Sequence, residues 1–376
     1  MSTANQTVAT GTLSGAAFRF FTDAVELRRY AGVHLANVLA APSPTLHVDA
    51  SLRWHEGQPP ADRLAAFPQL AWMDRVDRDL YARPGELYWF RVDDLRDLYL
   101  HLSWQENRLT IEGDFYHRLA KDVVRDRAKR LVYRRRMTAL RQRRFTTLLY
   151  YLVYYPSWWW LEQTQNLHPI HAAGVCIDSS VVLLGGASGV GKSTLAVALA
   201  SGAGGRLLSD SFVMHNGADI VGVREPVLLD AWSRRWLGER ARGLREIEWR
   251  YCLNRRGFQL PPEHLAERGR CGLLVFPRRA AERYVRPISA AEAHQRLSAA
   301  DLIINDLRRY WAFAATVEQM VPRGLMARRE AQLAALTAEV PCFELGLTAD
   351  MTCAATVESI LELLPGRSLR VVRSRQ

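Results

Sequence analysis

The sequence predicts an α/β domain behind an N-terminal α+β domain, and three observations predict it. Residues 181–194, VVLLGGASGVGKST, run from an apolar stretch through glycines into Lys192, Ser193 and Thr194. From about residue 166 onward, apolar runs of strand length alternate with stretches of helical length around that loop. Between residues 46 and 117, strand-like runs follow one another with turn residues between them, the pattern of an antiparallel sheet. The expected organisation is an accessory α+β domain over 1–115, a basic and aromatic helical connector over 116–165, and the α/β domain over 166–376.

Composition narrows the class. A chain of 376 residues exceeds the usual single domain, and 48% hydrophobic residues supply a substantial core. The five cysteines (Cys176, Cys252, Cys271, Cys342, Cys353) form no C-x-x-C pair, which fits reduced thiols better than a disulfide frame or a zinc site. The opening MSTANQTVATGTLSG lacks the basic-then-apolar order of a secretory signal and reads as a flexible leader, so a cytoplasmic location is expected.

In chain order, AAFRFFTDAVELRRYAGVHLANVLA (16–40) reads as helical. Strands are expected over 46–54, 86–94, 98–108 and 109–117, with Gln105–Asn107 as a turn. Breakers such as PSPTL, EGQPPADR and ARPGE separate these elements. No catalytic constellation stands out here.

The net charge is +11, and from Arg118 to Arg144 twelve Lys/Arg face two Asp, a local balance of +10. Within that segment Leu119, Val123, Val124, Leu131, Val132, Met137 and Leu140 recur at helical spacing, predicting an amphipathic helix. Its apolar stripe either packs on the domain or, with the surrounding cations, docks an acidic partner. An acidic peptide or protein and an anionic membrane surface are the expected candidates, ahead of nucleic acid. Phe145 to Leu161 (FTTLLYYLVYYPSWWWL) then carries no charge for seventeen residues. A membrane span needs about 20 apolar residues, and Pro156 interrupts this run, which therefore reads as a buried helix ending near that proline. Its Tyr and Trp beside basic residues leave peripheral membrane contact open.

In the α/β region, HAAGVCID and VVLLGG flank Ser179–Ser180 as a hairpin leading into the glycine loop. A helix over 193–202 is closed by Gly204–Gly205, and RLLSD (206–210) is a buried strand ending in an acid. Within IVGVREPVLLD (220–230) a strand precedes Pro226, another follows at 271–277, then a helix at 289–297 and a long helical region from Asp301 to Met320. CFELGL (342–347) is a strand, AATVESILELL (354–364) a last helix, and GRSLRVVRSRQ a basic tail.

The loop carries the chemistry. Gly186 and Gly191 frame G-x-x-x-x-G-K-S, with Ala187, Ser188, Gly189 and Val190 between them and Thr194 after. In such a loop successive backbone N–H groups turn inward around phosphate oxygens. The lysine (Lys192) meets the β/γ phosphates, and the hydroxyl (Ser193) ligates Mg²⁺. The helix after it points its positive end at the anion. A nucleoside triphosphate is the expected ligand. Asp210, at a strand end seventeen residues after Ser193, is placed to serve as a metal-linked acid or to accept a proton from an attacking hydroxyl. His171, opening a strand before the loop, is its candidate companion, with His168 as a rival and Glu225 and Asp230 as weaker acids.

Together, HPIHAAGVCIDSSVVLLGGASGVGKSTLAVALA and the following LLSD resemble the catalytic domain of the HPr serine kinase/phosphorylase family, including its looser HPr-kinase-related members. The resemblance covers roughly 165–365, specifically around the loop and loosely elsewhere. It implies a P-loop kinase core akin to phosphoenolpyruvate carboxykinase, Mg·ATP as donor, and a serine-type hydroxyl of a peptide or protein as acceptor. Lys192 and Ser193 would take the phosphate and metal roles, Asp210 the role of base, and His171 that of its companion. Related enzymes form oligomers, so homo-oligomerisation is implied too. Two departures stand out: the family's paired acids are here Asp210–Ser211, and its Glu-Arg-Gly-rich segment has only VREPVLLD as a counterpart. Two other readings stay open, a kinase of small-molecule hydroxyls and a catalytically weak nucleotide-binding module that recruits an acidic partner.

Overall fold

Alternating burial turns the early sequence into a sheet. The computed structural model describes residues 9–41, 43, 45–60, 67–92, 95–134, 137–202, 204–247 and 254–364. The chain folds as two units. The first takes the described residues up to Gln165 together with Arg309–Gly324, and the second takes the others. The fold is mixed α/β throughout.

In the first unit, eight strands form one sheet: β1 (Ala9–Leu13), β2 (Ala16–Thr22), β3 (Val48–Glu56), β4 (Asp74–Asp77), β5 (Leu80–Arg83), β6 (Glu86–Val92), β7 (Leu95–Gln105) and β8 (Arg108–His117). Their order is β1-β2-β3-β8-β7-β6-β5-β4. The β2–β3 and β3–β8 pairs are parallel, so the sheet is mixed rather than antiparallel throughout. Glu106 and Asn107, both at positive φ (49° and 61°), make the tight β7–β8 turn.

Three expectations fail here, each for a local reason. The helix over 16–40 is instead strand β2 followed by α1 (Val25–His34). Ala16, Phe18, Phe20 and Thr22 all lie on the buried face of β2, a period of two that the run of apolar letters concealed. Residues 9–13 of the expected leader are strand β1. The buried helix does not end at Pro156. It runs from α3 (Met137–Leu149) through a wider π-helical turn (Tyr150–Tyr154) into α4 (Tyr155–Gln165). Pro156 sits just after that turn, where the i→i−4 bonding pattern is already broken and a missing N–H costs least.

Of the two readings of the basic segment, the packed apolar stripe is the one that does not hold. The basic segment forms two helices, α2 (Val123–Val132) and α3, and the apolar face of α2 points outward. Val124, Leu131 and Val132 are each about three-quarters exposed, while Asp126 is buried. Asp126 accepts hydrogen bonds from the backbone N–H groups of Leu119 and Ala120 and from Arg130 Nε (2.7 Å). Arg130 also donates to Glu56 (2.7 Å) and to the His117 carbonyl (2.6 Å). Helical spacing sorts residues by face, and this polar cluster decides which face turns inward. Leu131→Ser is accordingly expected to leave the melting temperature unchanged. Asp126→Ala, which removes the acceptor of two backbone amides and of Arg130 Nε, is expected to cost about 1–3 kcal/mol by denaturant titration.

The second unit is built around a second mixed sheet. Its strands are β9 (His168–Ile170), β10 (Ala173–Ile177), β11 (Ser180–Leu184), β12 (Arg206–Ser209), β13 (Val213–Asn216), β14 (Asp219–Gly222), β18 (Arg268–Arg279), β19 (Tyr284–Pro287) and β20 (Cys342–Leu347). Strands β15 (Val227–Asp230), β16 (Arg245–Glu246) and β17 (Arg255–Gln259) form a separate small sheet. Strand β11 lies between β10, its antiparallel hairpin partner, and β18, parallel to it. The hairpin turn is Asp178–Ser179, both at positive φ, with Ser180 already in β11. Alternation along β11 divides the core. Val182 and Leu184 pack in the cluster that contains Leu195 and Leu199 of α5 (Lys192–Gly202) and Ile360 of α10 (Cys353–Leu361). Val181 and Leu183 pack with Leu297 of α7 (Ala290–Ile303) and Leu336 of α9 (Leu325–Glu339). The sheet is thus covered on both faces.

The helical region over 301–320 is split. Asp301 belongs to α7, Ile304 is extended (φ −76°, ψ 120°), and a new helix, α8, spans Asn305–Val317. Helix α9 and the small three-stranded sheet were not anticipated. The basic tail lies outside the described residues, as do Cys252, Arg135 and Arg136. Cys176, Cys271, Cys342 and Cys353 are free thiols. No helix among the described residues is long and apolar enough to cross a membrane.

Candidate functional site

Strand β11 delivers the glycine loop to the edge of the sheet. Gly185 closes the strand by donating its N–H to the Val275 carbonyl (2.9 Å), and a Cβ there would lie 2.8 Å from the Phe276 ring. Gly186, Gly189 and Gly191 then take φ of 110°, 86° and 98°, a region closed to most L side chains. Leu195 N–H to Gly191 carbonyl (2.9 Å) is the first helical bond beyond the loop. From Ala187 to Ser193, no backbone N–H donates to an acceptor among the described residues. A row of uncommitted amides ahead of an eleven-residue helix is a ready anion cradle.

Lys192 is buried, and its Nζ donates to the Gly186 (2.6 Å) and Ala187 (2.9 Å) carbonyls, folding the ammonium back over the loop. Burial pushes its pKa down to about 8, with the charges of Asp210 and Asp301 pulling the other way. Ser193 Oγ lies 3.3 Å from the Asp210 carbonyl, so the loop and the end of β12 meet directly. The Asp210 carboxyl is fully buried and its pKa is pushed up to about 6 by that burial, against a long hydrogen bond from Leu228 N–H (3.4 Å). Of the weaker acids, Asp230 caps α6 (Ala231–Leu237) by accepting from Ser233 N–H (2.7 Å), and Glu225 lies between β14 and β15.

His171 does not open a strand. It occupies the bend between β9 and β10, packed on Phe212 (ring centroids 5.3 Å apart). Its burial, and then the Lys192 charge, lower its pKa to about 3, so its imidazole is neutral near pH 7. Apart from the Ser211 carbonyl, neither ring nitrogen has a hydrogen-bond partner among the described residues. The rival His168 is a core residue, with Nε2 2.9 Å from Asn166 Oδ1.

One site residue was missed. Asp301, on α7, accepts the His171 N–H at 2.7 Å and acts electrostatically on Lys192. Burial raises its pKa to about 7. It supplies a second carboxyl where the sequence after β12 offers only Asp210 and then Ser211. Nothing local in the sequence marks it, since it sits 130 residues from the backbone it holds.

Comparison with known families finds no family model that matches this chain, and comparison with curated proteins finds no match. The functional reading therefore rests on the site alone. A cavity of about 510 Å³ adjoins the loop at Gly191 and Thr194 and extends toward Trp232, Trp236, Arg279 and Met351. No group of three or more His, Cys, Asp or Glu that could hold a metal occurs among the described residues. A metal here would depend on a ligand's own oxygens. That suits Mg²⁺, which keeps several waters and binds through one or two protein groups plus phosphates. Ser193 and Asp210 are adjacent and fit that limited role.

Proposed function

We propose that this chain is an ATP- and Mg²⁺-dependent phosphotransferase that moves the γ-phosphate to a hydroxyl, with a serine of a peptide or protein as acceptor. On this reading the second unit is a P-loop kinase core of the HPr-kinase-like type. The observation that carries the proposal is the amide-lined loop with Lys192 folded over it and the buried Asp210 carboxyl beside Ser193. Donor phosphates displace the Gly186 and Ala187 carbonyls from Lys192, whose charge they then share. Ser193 and, through a bound water, Asp210 would hold Mg²⁺ together with the phosphates; such an ion would supply neutralisation of charge on the transferring group. The acceptor oxygen bonds to the γ-phosphorus, the bond from that phosphorus to the β-bridging oxygen breaks, and ADP leaves. Asp210 takes the hydroxyl proton, a task its raised pKa favours near neutral pH. Neutral His171 offers a hydrogen bond at the phosphoryl group, and Asp301 holds its backbone in place.

An acidic acceptor, and peripheral contact with an anionic membrane, remain part of the proposal because α2 displays Arg125 and Arg127 next to outward-facing Val124 and Leu131. Transfer from γ-labelled ATP to serine-containing acidic peptides tests the function, with free hydroxylated metabolites as the competing acceptors. A bell-shaped kcat/KM is expected, rising as Asp210 loses its proton near pH 6 and falling as Lys192 loses its own near pH 8. Binding of ATP without transfer to either acceptor class would reduce the protein to a nucleotide-binding module.

A further inference from the structure

Granting the nucleotide reading on which it rests, we propose that the cavity beside the loop is a nucleobase pocket, with Trp232 as its stacking platform and a purine as its occupant. The cavity shares Gly191, Thr194 and Leu195 with the start of α5, so it begins where the phosphate cradle ends. Thr194 Oγ1 and Ser233 Oγ are 2.9 Å apart, which ties the first turn of α5 to the helix that bears Trp232. That linkage fixes the indole at a set distance from the loop.

The indole itself is the second observation. Trp232 is 54% exposed, an unusual state for the largest apolar side chain. It is held in place by stacking on Trp236 (centroids 6.1 Å apart, planes at 18°). Trp236 is itself pinned by its Nε1–H to the Met351 carbonyl (3.0 Å). A braced indole with an open face, at the mouth of a cavity that runs to a phosphate loop, is a surface on which a heterocycle stacks. Across the lining, Arg279 brings a guanidinium. The guanidinium is suited to the α-phosphate or the base edge. Sequence gave no hint of this pocket, because its walls come from α6, the end of β18 and the segment after β20.

Calorimetric titration of the full chain with Mg·ATP and with Mg·tripolyphosphate separates base from phosphates. Stacking of one base contributes about 1–3 kcal/mol, so ATP should bind roughly 5- to 150-fold tighter than tripolyphosphate. In Trp232→Ala most of that advantage should vanish while tripolyphosphate affinity and the melting temperature hold. Equal affinity of the wild type for the two ligands would overturn the pocket and leave the phosphate loop standing. So would an ATP advantage untouched by Trp232→Ala. If neither ligand binds, the nucleotide reading falls and takes the pocket with it.

Discussion

Lys192→Ala is expected to weaken Mg·ATP binding by roughly 100-fold, in line with the 1.5–3 kcal/mol typical of a hydrogen bond to a charged group. The loss is measured by equilibrium titration. In the free protein the ammonium satisfies two loop carbonyls at 2.6 and 2.9 Å, and burial has already lowered its pKa to about 8. A triphosphate offers it full negative charge in place of carbonyl dipoles, so the bound state gains more from the ammonium than the free state does. Thermal stability should fall little, because the carbonyls of an exposed loop can turn to water.

Asp210→Asn should separate chemistry from binding. Nucleotide affinity is expected to fall little, because Ser193 and the phosphates still hold Mg²⁺, while turnover falls by roughly 10²- to 10⁴-fold, the usual contribution of a general base. The same substitution carries a stability signature. Folding raises the Asp210 pKa from 3.8 to about 6, so the folded protein binds this proton more tightly than the unfolded chain. The resulting stabilisation is complete below pH 3.8 and is lost as pH rises through about 6. At pH 8 the variant should therefore melt above the wild type, and the difference should shrink toward pH 4. An inactive variant that also melts lower at pH 8 would point to a structural role for this carboxyl.

What could be read without coordinates follows a physical divide. The hairpin, the glycine loop and the strand that ends at Asp210 are local features. The polar break between two apolar runs demands a turn, expected at Ser179–Ser180 and found one residue earlier at Asp178–Ser179; the glycines demand positive φ, and apolar runs of four or five residues demand burial. The α2 face was half legible. Spacing showed that Val124 and Leu131 share a side, but only the Asp126–Arg130–Glu56 cluster shows which side faces the protein. Pro156 misled because the rule against proline in helices assumes a regular ladder, and the π-helical turn before it supplies an irregular one. Asp301 and Trp232 were illegible for a different reason. Each gains its meaning from an element far along the chain, and no periodicity in the sequence records that meeting.

The most direct test is a crystal structure of the protein with Mg²⁺ and a non-hydrolysable ATP analogue. The expected result places the β and γ phosphates against the backbone amides from Ala187 to Ser193, with Lys192 Nζ moved from the loop carbonyls onto phosphate oxygen. Asp210 would lie at the metal or at the γ-phosphate. A structure at saturating analogue in which Lys192 still caps an empty loop, or in which the phosphates lie elsewhere, would contradict it.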